Sequence, residues 1–157
     1  MVTLAIVRHA KSDWDDPSVS DHDRPLNARG RRDAPRMAAL LASRPWRPEA
    51  IVTSTAVRAR TTAAEFAAAM NVPLEEDPEL YGAGAQTLLD TAIARGHDVM
   101  IVAHNPGMSV LGRHLSTKVP LMPTCGVATF TWDEDDWAVA LKHAPLRVTY
   151  DIPEHLS

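Results

Sequence analysis

Two histidines and two arginines stand out as residues that could do chemistry together. Arg8 and His9 directly follow the apolar run Leu4-Ala5-Ile6-Val7, and His104 directly follows Val99-Met100-Ile101-Val102-Ala103. Apolar runs this short read as buried strands, so each histidine stands at the end of a rigid element. A third run, Glu49-Ala50-Ile51-Val52-Thr53, ends at Ser54, and Arg58 lies four residues beyond it. A guanidinium is a planar fork of donors that matches phosphoryl oxygens. A neutral imidazole nitrogen is a competent nucleophile toward phosphorus. A second imidazole, when protonated, stabilises charge on the transferring oxygens. One Arg-His pair at one strand end has an ordinary structural explanation. Its conjunction with His104 and a Ser-x-x-x-Arg at two further strand ends points instead to one shared phosphoryl site. Two arginines and two histidines are costly to hold around one cavity without an anion.

The elements between these residues must bring them together. The polar, proline-punctuated segment from 11 to 25 reads as a loop that lines or covers whatever binds at Arg8-His9. Asn27 is a plausible N-cap for a helix through about 43, with Met37, Leu40 and Leu41 facing inward. Pro35 conflicts with an uninterrupted helix, so a kink or a later start is expected there. An Ala-rich helix follows from about 56 to 70, with Thr55 as a possible cap. Val72-Pro73-Leu74 starts a short extended piece, and Gly82 to Gly84 is a turn. A helix from 86 to 95 closes at Gly96. The next helix, from 106 to 115, has Pro106 in its first turn. Val127 to Trp132 and Trp137 to Lys142 read as strands around the acidic turn Asp133-Glu134-Asp135-Asp136, with Trp132 and Trp137 as hairpin packing. A weaker extended segment spans 146 to 152.

Strands alternating with helices imply an α/β three-layer sandwich: a mostly parallel central sheet, helices on both faces, and an antiparallel C-terminal edge. Residues 1–157 read as one domain. In such folds ligands bind outside the carboxyl ends of the strands. Arg8-His9, Thr53-Ser54 and His104-Asn105 all lie there.

Bulk properties narrow the partners. Hydrophobic residues make up 45% and charged residues 23%, an ordinary globular balance. A net charge of -4 does not favour nucleic acid or an anionic membrane, so any anion site is local. Cys125 is the single cysteine, which excludes an intrachain disulfide and a cysteine metal cluster. No apolar stretch approaches the roughly 18 residues needed to span a bilayer. The N-terminus enters a strand without a signal-peptide pattern, so the chain reads as cytoplasmic. His22, His97, His114, His143 and His155 lack metal-ligand spacing.

Three blocks carry a family resemblance. Leu4-Ala5-Ile6-Val7-Arg8-His9-Ala10, Ser54-Thr55-Ala56-Val57-Arg58-Ala59-Arg60-Thr61-Thr62-Ala63 and Val102-Ala103-His104-Asn105-Pro106-Gly107 resemble the signature blocks of the histidine phosphatase (phosphoglycerate-mutase-like) superfamily. Asp21-His22-Asp23-Arg24-Pro25-Leu26, with Gly30 shortly after, is similar to the SixA-type phosphohistidine phosphatase branch. The resemblance implies His9 as nucleophile and Arg8, Arg58 and His104 as the phosphoryl-binding set, with no metal or organic cofactor. It places Asp21 and Arg24 near the pocket, where they shape substrate entry or proton transfer. Asn105 joins them as a substrate-binding candidate beside His104. Ala10 stands where the common first block has glycine, a minor departure. The short segment between the second and third blocks leaves only Glu79 as an acid candidate, against a plain solvated-loop role. It also leaves an open site, which suits a phosphorylated protein side chain and argues against mutase activity.

Three functions therefore compete. One is a phosphatase acting on phosphohistidine proteins and releasing inorganic phosphate. Another keeps the chemistry but acts on a small phosphate monoester. The last is a non-catalytic phospho-ligand binding module.

Overall fold

The computed structural model describes residues 1–156. The chain runs β1 (Val2–Arg8), α1 (Ala28–Ala42), β2 (Ala50–Thr53), α2 (Val57–Met70), β3 (Leu74–Glu76), α3 (Ala85–Ile93), β4 (Asp98–Ala103), α4 (Gly107–Leu115), β5 (Val127–Trp132), α5 (Trp137–Ala140) and β6 (Arg147–Asp151). Short 3-10 turns cover Pro78–Leu80 and Pro153–His155. The strands form one sheet in the order β3-β2-β4-β1-β5-β6. The first four in that order pair in parallel, and β5 and β6 add an antiparallel edge. None of the described helices is long and apolar enough to cross a membrane.

Both faces of the sheet are covered, which is why its central strands read as continuous apolar runs. Leu4, Ile6, Val99 and Ile101 bury one face in a cluster with Leu88 and Leu89 of α3 and Met108 and Leu111 of α4. Ala5, Val7, Met100 and Val102 bury the other with Met37 and Leu41 of α1 and Phe66 of α2. Ala34, Ala38, Ala59 and Ala63 lie in that second cluster. Their small side chains let α1 and α2 approach closely.

Strand register does the positioning. Arg8 pairs with Ala103, and Thr53 with Val102. Residues His9, Ser54 and His104 therefore leave three adjacent strands at one level.

Three expectations need correction. The segment from Trp137 is helical, not a strand. Asp136 accepts a hydrogen bond from the amide of Ala138 and starts a turn of helix. The edge of β5 that a hairpin would use is taken by β6. Trp132 and Trp137 still meet edge to face, 5.4 Å apart, but across a strand and a helix. Pro35 does not delimit α1, which continues through it, capped by Asn27 as expected. Thr55 is not the cap of α2; Ala56 holds that position with no side-chain cap, and its own amide donates to the hydroxyl of Ser54.

The segment after His9 is pinned to α1. Ser12 bridges to Leu26, and the amide of Asn27 donates to the carbonyl of Lys11. Gly30 sits against that same carbonyl, where an added Cβ would lie 2.1 Å from the oxygen. Gly30→Ala must push backbone against backbone, and overpacking of this kind costs about 1–3 kcal/mol. Urea denaturation of the variant is expected to show that loss, and an unchanged midpoint would contradict the close contact.

Candidate active site

The backbone at the end of β1 is held from both sides. The amide of His9 donates to Ala103 of β4, and that of Cys125 donates to the carbonyls of both Arg8 and His9, at 3.0 Å each. Cys125 takes a left-handed backbone conformation (φ 62°) to do so. The Ala10 amide donates to the Thr62 hydroxyl, which in turn donates to the Arg58 carbonyl, tying β1 to the first turns of α2.

His9 is 7% exposed. Its Nδ1 lies 2.7 Å from the carbonyl of Ala10. A carbonyl can only accept, so Nδ1 carries the proton and Nε2 is left as a lone pair. His104 stands beside it with ring centroids 5.1 Å apart, and its Nε2 lies 2.7 Å from the Ser54 hydroxyl.

Three guanidiniums complete the wall of a pocket of about 480 Å³ that Arg8, His9, Asp21, Arg24, Arg58 and His104 line. Arg8 donates to the carbonyl of Met122 at 3.0 Å, and the Asn105 amide donates to the same oxygen at 3.1 Å. The Asn105 carbonyl accepts from the amide and hydroxyl of Ser109. Asn105 lines the pocket, yet its hydrogen bonds brace the loop that carries Met122. Arg58 donates to the backbone carbonyl of Asp21 at 2.6 Å and to its carboxylate at 3.1 Å. Arg24 donates to the other carboxylate oxygen of Asp21 at 3.0 Å, pairs with Ser12, and stacks 3.6 Å over the Trp14 ring. The Nε atoms of Arg8, Arg24 and Arg58 and Nδ1 of His104 are buried without a partner among the described residues. Buried polar groups normally find partners, so these atoms leave hydrogen-bonding capacity that the described residues do not use.

The electrostatics follow from burial and positive charge. Burial, then the charges of His104, Arg58 and Arg8, push His9 down to about 3. Burial and the Arg58 charge push His104 down to about 4. Both rings are neutral near pH 7, the state in which an imidazole keeps a nitrogen lone pair. Asp21 is held well below the usual carboxylate range by a hydrogen bond from Tyr81 at 2.6 Å, then by those from Arg24 and Arg58. Burial pushes the Cys125 thiol up to about 12, so it is no competing nucleophile.

Sequence reasoning missed Tyr81. It reaches the pocket, donates to Asp21, and stands edge-on to His104 at 5.5 Å. Its signal was its place next to the short acidic segment. The acid candidate of that segment, Glu79, is not brought to the site. It is exposed on the 3-10 turn and does not line the pocket, while Leu80 is buried and Tyr81, itself 37% exposed, borders the pocket. Asp21 and Arg24 lie on the wall with the four principal residues. Among the described residues no group of three or more His, Cys, Asp or Glu is arranged to hold a metal ion.

Known proteins share this arrangement of chain. A family model described as the histidine phosphatase superfamily (branch 1) matches residues 4–85. An uncharacterised chloroplastic protein of Arabidopsis thaliana is 32% identical over 151 residues, covering 87% of this chain and 69% of its own. A solved structure assigned as the phosphohistidine phosphatase SixA of Agrobacterium tumefaciens is 33% identical, with a TM-score of 0.78 over 84% of this chain and 92% of that one. Another so assigned, from Nakamurella multipartitia, is 25% identical, with a TM-score of 0.78 over 97% and 96% of the two chains.

The two depressed histidines make stability depend on pH in a stated direction. Unfolded, each binds its proton near pH 6.5; folded, near 3 and 4. Between those values the unfolded chain holds more protons, so stability is complete above about 6.5 and falls as pH drops. The expected slope is about 1.4 kcal/mol per pH unit for each histidine that stays neutral. Urea titrations at pH 7.5 and 5 should show this loss, with a shallower slope in His104→Gln; equal slopes would place His104 outside the buried, cationic setting.

Proposed function

The chain belongs to the histidine phosphatase superfamily, and on that premise we propose that it hydrolyses phosphohistidine side chains of proteins through a phosphohistidine formed on His9. The family and the SixA structures support phosphatase chemistry. The choice of leaving group rests on Asp21.

Among the described residues Asp21 is the one carboxylate on the pocket wall, and three donors keep it ionised. An alkoxide departing from a phosphate monoester needs a proton from a positioned acid. An ionised carboxylate cannot supply it, and Glu79 points to solvent. A phosphohistidine protonated on its second ring nitrogen releases a neutral imidazole, and so needs no further acid at the leaving group. The site suits that leaving group.

In the proposed reaction the phosphoryl oxygens accept from Arg8, Arg24, Arg58 and His104, and the dianion draws a proton onto His104. The Nε2 lone pair of His9 forms a bond to phosphorus as the bond from phosphorus to the substrate nitrogen breaks. That electron pair stays with the departing imidazole. The His9 ring gains positive character, which its Nδ1 proton shares with the Ala10 carbonyl. Water then attacks phosphorus, the bond to Nε2 breaks, the pair returns to His9, and phosphate leaves with the protons of the water. The guanidiniums supply the positive charge throughout, so no metal is required in this scheme.

The test uses a protein phosphorylated on histidine with potassium phosphoramidate. His9→Ala should lower turnover by about 10⁴-fold or more, while phosphate binding through Arg8 and Arg58 persists. An alkaline denaturing quench, which spares the P–N bond, should trap labelled wild-type enzyme and no labelled variant. EDTA should leave the rate unchanged. Retained turnover in His9→Ala removes the nucleophile, and faster turnover of an alkyl phosphate such as glycerol phosphate favours a small monoester as substrate.

A further inference from the structure

The catalytic pocket is the first part of a longer track. Gly82, His104 and Asn105 also border a depression of about 280 Å³, whose wall includes Pro106 and Val110. Val110 in turn borders another of about 380 Å³, with Arg113, Pro120 and Leu121. Of the seven large apolar side chains exposed among the described residues, Trp14, Tyr81, Val110 and Leu121 line this track. Leu121 is 76% exposed and Val110 54%. The other face of α4 already buries Met108 and Leu111, so Val110 is left over from core packing. Clustered exposed apolar groups beside polar ones mark contact with another macromolecule.

The floor suits a polypeptide. Nothing lies within 4 Å of where a Cβ would stand on Gly82 or Gly84, so the surface between the pocket and α3 is open. Gly84, at the start of α3, offers no side-chain cap to the helix amides. Those donors are available to carbonyls of a chain laid across them.

A small phosphate ester ends inside the pocket and leaves Val110 and Leu121 in water. A substrate that covers them must continue past Asn105. We infer that the track seats the segment of a phosphoprotein that flanks its phosphorylated side chain, and that an aliphatic side chain of that segment packs on Val110 and Leu121. This rests on the phosphohistidine-protein reading above and adds a specificity surface outside the reacting groups.

Two probes with the same leaving group separate docking from chemistry: free phosphohistidine, and a protein phosphorylated on histidine with phosphoramidate. Burial of one or two aliphatic anchors predicts that wild type prefers the protein, in kcat/KM, by about ten- to a hundredfold. Val110→Asp/Leu121→Asp should bring the two probes to within about threefold of each other, with free phosphohistidine unchanged. Both side chains are exposed, so folding should survive; Leu121→Ser alone, with a smaller loss, guards against the double variant failing to fold. A preference kept by the variants, or absent in wild type, overturns the docking surface while the phosphohistidine reading stands. If wild type hydrolyses neither probe, that reading falls and the docking surface with it.

Discussion

Mutual repulsion of buried cations is the constraint around which this protein is arranged. Arg8, Arg24 and Arg58 converge on a pocket whose wall holds, among the described residues, a single carboxylate, Asp21. Each guanidinium is tied down by a different part of the fold: Arg8 by the carbonyl of Met122, Arg24 by Ser12 and Asp21, Arg58 by both the backbone and the side chain of Asp21. The two imidazoles beside them lose their affinity for protons. In a chain of net charge -4 this is a local reversal of sign. A rigid scaffold is the condition for it, and the doubly covered sheet supplies that scaffold.

The arrangement explains why loops matter as much as strands here. The strand register brings His9, Ser54 and His104 level, but it orients none of their side chains. The Ala10 carbonyl orients His9 and the Ser54 hydroxyl meets His104, while loops hold the guanidiniums: Met122 before β5 holds Arg8, and Asp21 in the loop at 11–25 holds Arg58. Asn105 belongs to this support through Met122 and Ser109.

Much of this was legible in the residues, for identifiable reasons. Short apolar runs ending in Arg-His and in His are visible because β1 and β4 are buried on both faces. The Ala-rich character of α2 is visible because that helix packs closely on α1. What stayed hidden was mostly carried by backbone. The Met122 carbonyl and the Cys125 amide leave no mark on residue type. Glu79 and Tyr81 flank Leu80 with no periodic signal to tell them apart; Glu79 lies on the 3-10 turn and Tyr81 caps it, and only the folded chain shows that Tyr81 is the one that lines the pocket. Trp137-Ala138-Val139-Ala140 alternates like a strand, and became a helix because β6 already occupied the edge of β5.

The contact between Nδ1 of His9 and the Ala10 carbonyl reaches further than orientation. An imidazole has two nitrogens, and phosphorylated histidine exists as two positional isomers that differ in lability. The carbonyl commits one nitrogen to a proton, so His9 as nucleophile could form only the isomer substituted at Nε2. The regiochemistry of the intermediate, and with it its lifetime, would then be chosen by a main-chain oxygen of the following residue, whatever that residue's side chain.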